Sequence, residues 1–213
     1  MLEIDNWLIA ICIYIILIFT TFIPILIAVF KRVKLHPGGQ SFDDSSHFTD
    51  NAKKHLSQHF SRLEGTLLFW KNEAEKYKRL HYYTVFWTIP SLVVIPILAQ
   101  VISGNSYSKI FLTIVSAHTA ILLSFHRGLK VERNFRAFRQ GESEFYDVYR
   151  RFLDRPTTFG STEDEQLNNY FDATENIRKY VRNAEIDNFP TIEEIKSQMS
   201  DETAVPAPPR AKK

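Results

Sequence analysis

Apolar positions along this chain gather into three blocks, and outside them they recur at the alternating three-and-four spacing of a helix face. The blocks run from Trp7 to Phe30, from Tyr82 to Ile102 and from Ile110 to Phe125. Crossing a hydrocarbon core of roughly 30 Å takes about 20 apolar residues, and a helix satisfies its backbone polar groups internally while doing so. Each block is therefore expected to be a transmembrane helix. Pro24 lies in the first, and Pro90 and Pro96 lie in the second; neighbouring helices let such prolines persist in a span. The polar link Ser103 to Lys109 joins the second and third blocks as a hairpin, 82–126, in which Tyr107 and His126 are the interfacial ends of the shorter arm. A buried hairpin of a soluble protein is the competing reading, and the block lengths disfavour it. The first block is too long for the apolar part of a signal peptide, has no basic residue before it and no small-residue cleavage site after it. It reads as a retained span.

Between and after the blocks the helical spacing takes over. Leu56, Phe60, Leu63, Leu67, Trp70, Ala74 and Tyr77 form one seam; Val131, Phe135, Phe138, Phe145, Tyr149 and Phe152 form a second, with Glu142 at its polar position. Such seams face partner helices, and antiparallel arms leaving a hairpin lie side by side, so the two are expected to pack together. The Ser161 to Glu165 run has the hydroxyl and acids of a helix start, and Leu167, Tyr170, Thr174, Ile177, Val181 and Ala184 continue it as a third seam. Thr191-Ile192-Glu193-Glu194 starts one more short helix. The expected fold is an all-α membrane protein with three transmembrane helices, the last two a hairpin extended into an antiparallel cytoplasmic helical bundle. Its divisions are an N-terminal span, 1–34; a linker, 35–50, marked by His36-Pro37-Gly38-Gly39; the hairpin with its two arms, 51–155; C-terminal helices, 156–200; and an apolar-poor tail, 201–213.

Charge adds an orientation. Glu3 and Asp5 precede the first block, and Lys31, Arg32 and Lys34 follow it; Lys76, Lys78 and Arg79 precede the hairpin, Arg127, Lys130 and Arg133 follow it, and its link holds only Lys109. Basic flanks stay cytoplasmic, so all three spans put the N-terminus outside and the C-terminus inside. The formal net charge of +2 gives no argument for direct nucleic-acid binding. Cys12 is the sole cysteine, which excludes an internal disulfide and a cysteine-based zinc site.

Chemistry is sparse. The seven glycines form no phosphate-binding loop, and no catalytic set or cofactor site emerges, so an enzyme is not expected. His55 and His59 stand one turn apart, the spacing of two metal ligands, but without a third ligand they read as a solvated helix face. Adjacent Asp43 and Asp44 would point apart. Arg133, Arg136, Arg139, Arg150 and Arg151 read as solvated, with anionic headgroups or a nucleotide as the sharper option. Tyr82, Tyr83, Trp87 and Trp7 read as interfacial rings. The polar residues inside the spans are the pore-lining or gating candidates: His118, Ser116 and Thr113 on the last span, with Gln100 and Ser91 on its partner. Two readings of His118 stay open: a neutral imidazole bonded to a neighbouring helix, or a pore-lining, pH-sensing group. Three helices cannot enclose a wide aqueous channel, so a pore would need a homo-oligomer.

A helix bearing Trp70, Ala74 and Tyr77, the pair Tyr82-Tyr83, a proline-bearing membrane hairpin, and then Phe135 to Tyr149 with Glu142 and Glu144 make a recognisable layout. Over roughly Leu56 to Leu153 it resembles the SLATT family, two-transmembrane bacterial proteins found beside nucleotide-generating or nucleotide-sensing partners in antiphage systems. The Trp7 to Phe30 span is additional to that pattern. The resemblance implies an inner-membrane effector of abortive infection that oligomerises in the lipid bilayer and permeabilises or depolarises it, with a nucleotide-generating or sensing protein as partner. A non-conducting membrane scaffold or sensor that recruits a cytoplasmic partner is the alternative.

Overall fold

A computed structural model describes residues 5–31, 33–35, 41–102, 104–189 and 191. The short helix expected beyond Thr191, the tail from Asp201 and the glycine pair of the linker lie outside them. The described chain is helical, without a strand: α1 (Asn6–Phe30), α2 (Asp50–Val101), α3 (Ser106–Gly128), α4 (Val131–Asp154) and α5 (Glu163–Asp187), with single 3-10 turns at Phe42–Asp44 and Pro156–Phe159. Side-chain caps start four of them, where Asp5, Thr49, Asn105 and Thr162 accept from backbone N–H groups that the first turn leaves unpaired.

Three helices, α1, α2 and α3, are long and apolar enough to cross a membrane. Only 6% of the apolar window of α1 is buried inside the chain, and Phe19, Phe30, Phe86, Val93 and Ile97 stand exposed. An apolar surface that large and continuous suits lipid or a second copy of the chain, not water.

The 52 residues of α2 form one helix, about 78 Å long at 1.5 Å per residue. Neither Pro90 nor Pro96 ends it. In its apolar half the buried hydroxyls of Thr84, Thr88 and Ser91 donate to the carbonyls of Leu80, Thr84 and Trp87, one turn back, so they are satisfied without leaving their own helix. Its polar half packs on α4, and α4 on α5. The three seams meet there: Leu56, Leu63, Leu67 and Trp70 of α2 with Phe138, Phe145, Tyr149 and Phe152 of α4 and with Tyr170, Ile177 and Val181 of α5. Glu142 is buried beside Arg139, whose Nη1 donates to Glu142 Oε2 at 2.6 Å.

Two features differ from the expectation. Within the segment read as a linker, Phe42 and Phe48 are buried; the Phe42 ring lies 4.7 Å from Tyr149, and Phe48 stacks on Phe152 at 4.9 Å. Two aromatic rings among serines and aspartates fasten residues 41–49 to the bundle. Thr49 then accepts no freedom either, since its N–H and hydroxyl donate to the Glu163 carboxylate at 2.8 and 3.0 Å and tie the start of α2 to the start of α5. The second difference is that only one arm runs on unbroken from its apolar helix. Between α3 and α4, Lys130 takes a left-handed conformation, φ 44° and ψ 43°, which costs a lysine about 1 kcal/mol. Local bonds hold it: Asn134 Nδ2 donates to Leu129 O at 3.0 Å, and Lys130 Nζ donates to Asp187 O, at the end of α5, at 3.0 Å.

Gly141 sets how closely α5 can approach α4. A Cβ there would collide with Val181 Cγ2 and touch the Trp70 ring. Gly141→Ala is therefore expected to destabilise the bundle by about 1–3 kcal/mol, the usual cost of overpacking, with Val181→Ala restoring part of the loss. Chemical denaturation of the two variants checks this.

Candidate functional site

Trp7, Ile11, Tyr14, Ile18, Thr21, Ile25 and Ala28 recur along α1 at alternating spacings of four and three, and all are buried or half-buried. This face packs on α2 and α3. Tyr14 sits midway along it, and its hydroxyl meets His118 Nδ1 of α3 at 2.9 Å. Trp87 of α2 closes the third side, its ring 5.3 Å from His118 and edge-on to Tyr14 at 5.2 Å, while its Nε1 donates to Thr21 Oγ1 at 3.1 Å. Tyr83 lies 6.4 Å from His118 and packs on Phe22. One ring from each of the three apolar helices, Tyr14, Trp87 and His118, thus meets in a single cluster, with the Tyr14 hydroxyl bonded to the imidazole.

A charged group is costly in such surroundings, and a neutral imidazole has one nitrogen that donates and one that accepts. The Tyr14 hydroxyl suits either tautomer, since it donates to a bare Nδ1 and accepts from a protonated one. The cluster is bracketed at both ends of the three-helix unit. At one end Asn105 Nδ2 donates to Asp5 Oδ2 at 2.7 Å; at the other, His81 Nδ1 and His126 Nε2 share a hydrogen bond of 2.9 Å.

Of the pore-lining candidates, the structure brings together His118 and Ser91. Ser91 is buried, donates to Trp87 O at 2.7 Å and adjoins the Tyr14 hydroxyl. Ser116 is half-buried. Gln100 and Thr113 are exposed, the latter donating to Lys109 O at 2.9 Å, so they face outward from the three-helix unit. Tyr83 and Trp87 turn inward, unlike the exposed Tyr82; two of the rings read as interfacial are internal packing. Tyr14 and Thr21 are the site residues that composition and polarity did not reveal. The four-and-three spacing inside the first block was their signal.

Removing one member of the Tyr14–His118 pair leaves the other unpaired in an apolar interior, at about 1–3 kcal/mol. Tyr14→Phe and His118→Leu should each lower the thermal stability of the detergent-solubilised protein, and the double variant should lose less than the sum. Strict additivity in that cycle would show that the bond contributes nothing.

His59 is not on a solvated face. It lies 4.6 Å from the Phe171 ring of α5, its Nδ1 is buried without a hydrogen-bond partner, and His55 beside it is exposed. No cluster of three His, Cys, Asp or Glu side chains able to hold a metal occurs among the described residues. Burial, with the charges of Arg62 and Arg178 adding, pushes the His59 pKa down to about 4. The unfolded chain, at about 6.5, therefore binds this proton first as pH falls. The His59 contribution is intact above about pH 6.5 and is lost progressively toward pH 4. Unfolding midpoints measured across that window should decline more steeply in the wild type than in His59→Phe.

No family model, curated protein or solved structure matches this chain.

Proposed function

We propose that this chain is a membrane effector of a bacterial antiphage, abortive-infection system. In this reading the N-terminus is outside the inner membrane, residues 82–126 form a membrane hairpin, and the packed seams form a cytoplasmic bundle. Oligomers permeabilise or depolarise the membrane when a nucleotide-linked or protein signal reaches that bundle. The observation that carries the reading is the continuity of α2, whose polar half is embedded in the aromatic core and whose apolar half holds Trp87 against His118. A rigid element shared by both regions couples them, because a shift of α2 within the bundle carries with it the Trp87 ring that packs on both Tyr14 and His118. The SLATT-like layout supports the class of trigger, a nucleotide-generating or sensing partner. Membrane potential recorded on induced expression under activating conditions tests it. Depolarisation with growth arrest is expected; an unchanged potential with normal growth overturns it.

One feature favours a non-conducting scaffold instead. Ile186 and Phe189, at and just beyond the end of α5, are 64% and 74% exposed although they lie outside the apolar helices, as a surface that recruits a protein partner would be. Replacing 82–126 with an unrelated membrane hairpin separates the two: growth arrest that survives the exchange selects the scaffold.

A further inference from the structure

We propose that the cleft between the C-terminal end of α1 and the middle of α2 binds the phosphate of an anionic phospholipid. The inference rests on the membrane topology proposed above and adds a ligand to it. The cleft encloses about 460 Å³. Among the described residues, three cations line it, Lys31, Lys34 and Arg79, against the carboxylate of Glu75, a surplus of two positive charges. Glu75 does not cancel them: its ion pairs are to Lys78 at 3.7 Å and Arg79 at 3.8 Å, both long and partly exposed, the kind worth little in water.

The walls are held in place by the backbone. Val33 N–H donates to Asn72 Oδ1 at 2.7 Å, Lys71 Nζ donates to Lys34 O at 3.1 Å, and Arg79 Nη1 donates to Pro24 O at 3.4 Å. These bonds fasten the segment leaving α1 along α2 and hold the basic groups at one level. That level is the end of the apolar helix. Ile27 and Ala28 line the cleft itself, and Ile23, Ile27 and Phe30 present exposed apolar side chains next to it.

The ligand must therefore carry a negative charge at one end and hydrocarbon at the other. Inorganic phosphate or a nucleotide would use the cations and leave the apolar wall bare; a zwitterionic lipid would use the wall and gain little from the surplus charge. An anionic diacyl phospholipid uses both, and each basic residue near a membrane surface is worth about a fivefold preference for such a lipid.

The test uses the full-length protein, purified in detergent, delipidated, offered phosphatidylglycerol and phosphatidylcholine together, and read by native mass spectrometry. Wild type should retain phosphatidylglycerol selectively. Lys31→Gln with Lys34→Gln should lower that selectivity about twenty-five-fold, two charges at about fivefold each, whereas Lys31→Arg with Lys34→Arg, and Lys53→Gln with Lys54→Gln at the far end of α2, should retain it. Equal retention of the two lipids, or selectivity unchanged by the glutamine pair, overturns the proposal. So does displacement of bound phosphatidylglycerol by inorganic phosphate, which would make the cleft a site for soluble anions. Extraction of the protein from membranes by alkaline carbonate would overturn the topology and the lipid site together, while an integral protein without lipid preference overturns the site alone.

Discussion

Phe152→Ala is expected to destabilise the helical bundle strongly while leaving α1, α3 and the apolar half of α2 helical. The Phe152 ring is fully buried and stacks on Tyr170 at 4.4 Å and on Phe48 at 4.9 Å, with Phe159 edge-on at 5.1 Å and Phe42 at 6.0 Å. It is the common neighbour of the segment before α2, the turn after α4 and the first half of α5. Its surroundings are rigid rings that cannot collapse into the space left behind, so the loss belongs at the upper part of the range for a deleted core aromatic, about 3–5 kcal/mol. A small domain has about 5–15 kcal/mol of total stability, which makes this one change a large fraction of it. A lowered unfolding midpoint by circular dichroism, together with new protease cleavage between 155 and 163, is the expected result. A shift worth less than about 1 kcal/mol would contradict the central place given to this ring.

The second large effect concerns the connection between the two halves of the molecule. Leu80→Pro is expected to abolish activity while leaving membrane insertion and the bundle in place. A proline there removes an intrahelical bond and collides with the preceding turn, at about 3 kcal/mol or more. The break falls between the last seam residue, Tyr77, and the apolar helix that begins at Tyr82. Under the proposed function the bundle then moves without carrying Trp87 with it. Leu80→Ala keeps the helix and should keep the response. If membrane potential falls normally on induction of the proline variant, the continuity of α2 is not what transmits the signal.

What could be read from the residues depended on contrast. The seams of α2, α4 and α5 alternate with charged residues, so a three-and-four spacing stands out, and those same side chains form the core. In α1 nearly every position is apolar. Its inward face was legible only as a spacing, Trp7 to Ala28, and not as a difference in polarity, which is why Tyr14 escaped notice as the partner of His118. Burial of Phe42 and Phe48 was obscured by the serines and aspartates around them. His59 resembles any exposed helical histidine until α5 folds across it with Phe171. The left-handed turn is displaced from the glycine that would have announced it, since Gly128 remains helical and Lys130 bears the unusual angles. Local preference favoured the glycine, and the bonds from Lys130 to Asp187 and from Asn134 to Leu129 outweigh it.

That displaced turn decides what kind of movement is cheap. Bending the seam half of α2 stretches a whole ladder of backbone bonds, whereas torsion at Lys130 disturbs only the two that meet there, its N–H to Arg127 O and its carbonyl from Asn134 N–H, both 3.0 Å. The two struts beneath the bundle are therefore unequal: one is stiff, the other articulated. Swivelling about the articulated side sweeps the stiff strut sideways, and the arc widens along the 20 residues from Tyr82 to Val101, about 30 Å of helix. A tilt of a few degrees near Lys130 becomes a displacement of ångströms at the far end of the three-helix unit, where Asp5 and Asn105 hold the helices together.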